Sequence, residues 1–221
     1  AVPAEGTSCL WNLYAYGGPG RVEADPKQLA DADTFTVLSF HSGGAGARPG
    51  KDGLSATAFP SGVRNVPVEV TEAISPLIVW RKEYRLDSGG AGEYRGGLGQ
   101  TMELGLLQDA PFAFSALFDR IDYPPRGRDG GDNGGEGAIY LASGSRLNGK
   151  GTQTIPRGER VVVDMPGGGG LGEARMRDPR RVVDDVRGGL VSADVARSTY
   201  RVAIDDNGDV DEKVTQKLRA D

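Results

Sequence analysis

Glycine constrains this chain more than any other residue. It supplies 35 of 221 positions, about twice its usual share. The glycines fall in clusters between apolar runs rather than in a uniform low-complexity tract. Glycine tolerates positive φ and lets backbones approach closely, so the clusters read as many tight turns joining strands.

The segments between the clusters favour strands. Thr34-Phe35-Thr36-Val37-Leu38-Ser39-Phe40 is rich in β-formers. Leu77 to Leu86, Thr101–Leu107, Phe112–Phe118, Ala138–Ala142 and Arg160–Met165 are further strand candidates, and Leu10 to Tyr16 is aromatic and extended in character. Short helices are expected over Pro26–Ala32 and Val66 to Ile74. Arg126 to Gly137 reads as a long glycine and aspartate loop. Near the end, Asp178 is an N-cap, Pro179 suits the first helical position, and Val182, Val183 and Val186 share one face. Ser192 caps a second short helix, Tyr200–Ile204 reads as a strand, and a terminal helix starts near Glu212. The expected class is mainly β (α+β): a glycine-rich β-sandwich or barrel-like domain over residues 1–175, with a helical extension, 176–221, packed on it.

Charge and rare residues exclude several functions. The net charge is −5, and no Lys/Arg stripe with interleaved aromatics occurs, which argues against nucleic-acid binding. No apolar run is long enough to span a bilayer, and Ala1-Val2-Pro3-Ala4-Glu5 is no signal peptide. The single cysteine, Cys9, excludes an internal disulfide and suits a reducing compartment, so a cytoplasmic location is expected. The single histidine, His41, excludes a His-rich metal site built from this chain alone.

Individual motifs are weak. Gly167-Gly168-Gly169-Gly170-Leu171-Gly172 satisfies G-x-G-x-x-G after the strand Val161-Val162-Val163-Asp164-Met165. A dinucleotide loop needs a helix to begin at once, and Glu173-Ala174-Arg175-Met176-Arg177 intervenes, so a structural backbone turn is expected. Asp205-Asp206-Asn207-Gly208-Asp209 resembles a calcium loop, but the positions for its glycine and final glutamate hold Val210 and Gln216, which leaves a turn. Cys9 lacks an evident base. Glu69 and Glu72 lie near one helical face, where exposed glutamates are the ordinary reading. His41, at a strand end facing a glycine loop, and Arg64-Asn65, in a polar turn before Pro67, are the candidates for lining a site.

Four segments in order carry a resemblance. These are Ser42 to Gly53, with its Ser-Gly-Gly-Ala-Gly-Ala-Arg-Pro-Gly run; Asn65-Val66-Pro67-Val68-Glu69-Val70-Thr71-Glu72; Arg85 to Gly99; and Met165 to Gly172 followed by Arg177-Asp178-Pro179 through Ser192. Together they resemble the hydantoinase B/5-oxoprolinase family, and an N-methylhydantoinase B-like subunit in particular. The resemblance covers nearly all of this chain but only the last two-fifths or so of a typical family subunit, whose preceding portion is expected to carry most metal and substrate residues. The stretch Thr57 to Arg64 lacks the His-x-x-Asn-Thr pattern common in oxoprolinases.

The resemblance implies one half of an ATP-dependent machine acting on cyclic amides. A hydantoinase A-like partner would bind ATP and Mg and phosphorylate the amide oxygen. The B-type subunit would direct water onto the activated carbon, with glycine loops offering N–H groups to the anionic intermediate, and with His41, Arg64 and Asn65 forming one wall. Any divalent metal would bind outside this chain. Acetone or acetophenone carboxylase-type ligation and a non-catalytic assembly role are the alternatives that the same resemblance allows.

Overall fold

Two four-stranded antiparallel sheets form the framework. The first has the order β2–β1–β5–β7, from β1 (Trp11–Gly17), β2 (Phe35–His41), β5 (Phe112–Leu117) and β7 (Lys150–Ile155). The second has the order β3–β4–β8–β6, from β3 (Leu77–Tyr84), β4 (Gln100–Leu106), β6 (Ala138–Leu141) and β8 (Val161–Asp164). The computed structural model describes residues 2–6, 11–17 (backbone only), 35–57 and 66–220. The helix expected at Pro26–Ala32 and Cys9 lie outside the described residues.

Period-two side chains explain how the sheets meet. Val37 on β2, Phe112, Phe114 and Ala116 on β5 and Ile155 on β7 face Leu77, Met102, Leu104, Ile139, Leu141, Val161 and Val163 from the second sheet in one apolar core. The arrangement is a sandwich rather than a barrel. β7, Lys-Gly-Thr-Gln-Thr-Ile, was missed from sequence because only Ile155 is buried and the rest is polar edge. Residues 200–204 do not form the expected strand. Only an isolated bridge, Ile204 to Val210, forms there, and Tyr200, Val202 and Ala203 are instead buried.

The glycine clusters are not turns joining strands. At one end of the sandwich, residues 2–6, 42–57, 88–99, 125–135 and 166–172 pack backbone to backbone, with turns of their own at 48–51 and 128–131. Residues 167–172 are central to the network. Gly167 N–H donates to Gly135 O, Gly168 to Gly97 O and Gly169 to Glu5 O; Gly170 then returns to Asp132 O and Leu171 to Tyr94 O, at 2.7–3.0 Å. Bonding that comes back to the same neighbour every third residue is the threefold geometry of polyproline II backbone. Gly167 to Gly170 have no positive φ. Their glycine is required by space: a Cβ on Gly168 would collide with the Ala45 carbonyl, and one on Gly167 with that of Ser88.

The final residues pack on this bundle. α2 (Pro179–Arg187) starts at Asp178, whose carboxylate accepts from Arg180 N at 2.9 Å. α3 (Ala193–Ser198) starts at Ser192, which accepts from Val195 N at 3.2 Å. α4 (Glu212–Ala220) closes the chain. Val182, Val191, Ala196, Tyr200 and Val202 form a second apolar cluster around Ala91 of the glycine bundle.

A buried ionic knot crosses the same junction. Arg177, 1% exposed, donates to both Asp52 oxygens at 2.8 and 2.9 Å and to Asp185 at 2.8 Å. Buried Arg95 lies 3.3 Å from Asp185, and Arg181 donates to Asp52 at 2.6 Å. Burial opposes ionisation of Asp52, but hydrogen bonds and charge from Arg177 outweigh it and hold the carboxyl below its ordinary value.

Candidate functional site

The inward row of β2 is apolar only at its start. Val37, Ser39 and His41 are all buried on the core side, so two polar side chains enter a sandwich interior. The Ser39 hydroxyl meets His41 Nε2 at 2.8 Å. His41 Nδ1 is buried and has no hydrogen-bond partner among the described residues. A small cavity of about 20 Å³ lies beside them, lined also by Val66, Thr71, Leu77, Val79, Lys82 and Met102. That is room for about one water-sized group.

α1 (Val68–Ile74) and β3 build the outer side of this cavity. The β3–β4 register shifts between Val79 and Arg81, and the Val79 N–H at that irregularity is taken by Glu72 Oε1 at 2.9 Å. Glu72 therefore ties α1 to an edge strand rather than serving in a carboxylate pair. Beyond the shift, Lys82 turns toward the cavity and donates from Nζ to Val66 O at 2.9 Å. Burial lowers the Lys82 pKa, with Glu69 opposing.

Of the residues expected to line a site, His41 lines this cavity, and Arg64 and Asn65 lie outside the described residues. Val66, next in sequence, lines the cavity with His41. Ser39 and Lys82 were not anticipated. Ser39 was legible in principle, because period two puts it on the face of Val37 and His41. Lys82 was not, because its direction depends on the register shift.

Burial, then the positive charge of Lys82, pushes the His41 pKa down to about 4, so the ring is neutral near pH 7. The unfolded chain, with an ordinary value near 6.5, takes up the proton first. Stability is therefore full above about pH 6.5 and falls as pH drops toward 4, by roughly 3 kcal/mol in all. Denaturant unfolding at pH 7, 6 and 5 is expected to show this decline, and His41→Gln to remove it. An unchanged slope in the variant would assign the decline elsewhere.

The other motifs resolve plainly. Every N–H from Gly167 to Gly172 is spent on a neighbouring carbonyl, so this segment offers none to a phosphate or to an anionic intermediate, contrary to the expectation for the glycine loops. Asp205 Oδ1 accepts from Asn207 N and Asp209 N, both at 2.9 Å, in a turn with Gly208 at φ 81°. Among the described residues, no group of three or more His, Cys, Asp or Glu side chains is placed to hold a metal, and no helix is long and apolar enough to cross a membrane.

A two-sheet sandwich closed at one end by a bundle of interlocked glycine segments defines a recognisable class. The family model for hydantoinase B/oxoprolinase matches residues 1–174, and the chain belongs to that family. The caprolactamase subunit beta of Pseudomonas jessenii is 34% identical over 218 residues, covering 89% of this chain and 36% of the relative. The crystal structure of the ATP-dependent caprolactamase from the same organism superposes with a TM-score of 0.78 at 31% identity, over 100% of this chain and 38% of that one. A nucleotide-free acetone carboxylase structure matches with a TM-score of 0.76 over 99% of this chain and 33% of that one, at 22% identity, and shares the fold. The chain thus spans about a third of the length of these relatives.

Proposed function

We propose that this chain is the C-terminal part of a B-type subunit of an ATP-dependent cyclic amide hydrolase. The observation that carries the reading is the 34% identity to a caprolactamase subunit beta over nearly the whole chain. Residues 1–175 form its glycine-rich β domain and 176–221 the extension. A hydantoinase A-like subunit supplies the ATP and Mg site, and the preceding portion of the B-type subunit supplies any divalent metal. The assembly works in the cytoplasm.

The chemistry answers a physical obstacle, since amide resonance makes direct hydrolysis slow. Transfer of the γ-phosphoryl group to the amide oxygen makes an imidate-like ester and releases ADP. Water adds to the activated carbon, the C–N bond breaks with the nitrogen leaving as an amine, and a second water cleaves the resulting acyl phosphate to release phosphate and the carboxylate. In this reading His41, Arg64 and Asn65 form a wall that positions the substrate. His41 is suited to that role as a neutral hydrogen-bonding ring.

In the assembled complex, ring opening of a cyclic amide is expected to require ATP and to proceed without bicarbonate. Alanine at His41, Arg64 and Asn65 together is expected to lower kcat/KM by about a hundredfold, near 1 kcal/mol for each hydrogen bond. Unchanged turnover in that triple variant would remove the wall assignment.

A further inference from the structure

We infer that the cavity between β2, β3 and α1 is an oxyanion subsite in which the Lys82 ammonium and the His41 ring together take one oxygen of a phosphoryl or carboxylate group. The inference rests on the proposed reading for its substrate, but binding can be tested in this chain alone.

Three observations converge on it. The first is unspent hydrogen-bonding capacity. An ammonium has three donors, and among the described residues Lys82 uses one, on Val66 O. His41, 6% exposed, lines the cavity with an Nδ1 that has no partner among the described residues. A buried polar atom left unpaired is costly unless something occupies its site.

The second is charge. Among the described residues lining the cavity, Lys82 is the one that carries a formal charge, and most of the others, such as Val37, Val66, Leu77, Val79 and Met102, are apolar. An ammonium over apolar walls attracts an anion more strongly than it would in water.

The third is size. A cavity of about 20 Å³ admits one oxygen-sized group and excludes a ring. It therefore receives the tip of a ligand whose body lies outside, past the half-buried Val66 and Lys82 at its rim.

The Ser39–His41 contact completes the design. For Nδ1 to donate to an oxyanion, Nε2 must be the bare nitrogen, accepting from the Ser39 hydroxyl at 2.8 Å. Ser39 is then a positioning residue that selects the tautomer. The cyclic amide reaction supplies two oxyanions of suitable form: the phosphoryl group of the activated amide and the carboxylate of the opened product.

Because His41 is the single histidine, selective ¹⁵N-histidine labelling reports on one ring. The full chain is titrated at constant ionic strength with inorganic phosphate, with acetate and, as reference, with chloride. Phosphate or acetate is expected to shift the Nδ1 signal saturably, with Lys82→Met weakening that binding by about tenfold or more. A phosphate response assigns the phosphoryl group and an acetate response the carboxylate. No saturable shift in the wild-type chain, or the same shift with chloride, overturns the subsite whether or not any variant folds. Turnover by the complex stands apart: ATP-dependent ring opening without oxyanion binding refutes the subsite alone, and binding without ring opening refutes the proposed reaction alone.

Discussion

Replacing Gly168 by alanine is expected to cost this chain its folded state. The added methyl group has nowhere to go: it would meet the Ala45 carbonyl and the Gly46 nitrogen, both backbone atoms held by the bundle. Gly168 also donates to Gly97 O and accepts from Gly90 N, so relief of the clash breaks hydrogen bonds to two neighbouring segments. A loss above about 5 kcal/mol is expected, comparable to the whole stability of a domain. Gly144 is the control. It has φ 99° and open space around its Cβ position, so alanine there costs only the conformational strain, about 1–3 kcal/mol. Thermal unfolding of both variants separates the explanations. A Gly168→Ala chain as stable as Gly144→Ala would mean that the segments are not packed as described.

Arg177→Met is expected to destabilise the chain by about 3–5 kcal/mol, because it takes a shared partner from the buried Asp185 and the half-buried Asp52 carboxylates. Asp185 keeps Arg95 at 3.3 Å, and Asp52 keeps Arg181, so the loss is felt first where both carboxylates depended on Arg177. That place is the seam between the glycine bundle and the C-terminal helices. Hydrogen exchange is expected to show α2 and α3 opening before the sheets. Arg157→Ala removes an ion pair with Asp109 whose side chains are both about two-thirds exposed, and is expected to cost less than about 1 kcal/mol. Equal losses in the two variants would deny the knot its role. Acid acts on the same seam. Asp52 has its pKa lowered in the fold, so its contribution is present above the ordinary carboxylate value and is lost as pH falls through the lowered one.

Much of the framework was legible because it follows local rules. Runs such as Thr-Phe-Thr-Val-Leu-Ser-Phe and Val-Val-Val made strands, and Asp178-Pro179 and Ser192 made helix starts, since β-branching and capping act within a few residues. The glycine bundle was not legible as a bundle. A glycine that supplies positive φ in a turn and one that makes room for a neighbouring backbone look alike in sequence; the difference lies in contacts such as Gly168 with Ala45, separated by more than a hundred residues. The site divides in the same way. His41 could be picked out as a lone histidine at a strand end. Lys82 faces the cavity only because the register of β3 shifts after Val79. The buried Arg177–Asp52–Asp185 knot joins residues that no local pattern connects.

The role proposed for this chain is in ATP-driven opening of a cyclic amide. The direct measurement is stoichiometry: phosphate released and ring-opened product formed by the purified complex containing this chain, with and without ATP and with and without added bicarbonate. The account predicts one phosphate per ring opened, no product without ATP, and no effect of bicarbonate. Product formed without ATP, or ATP consumed only when bicarbonate is present, would contradict it.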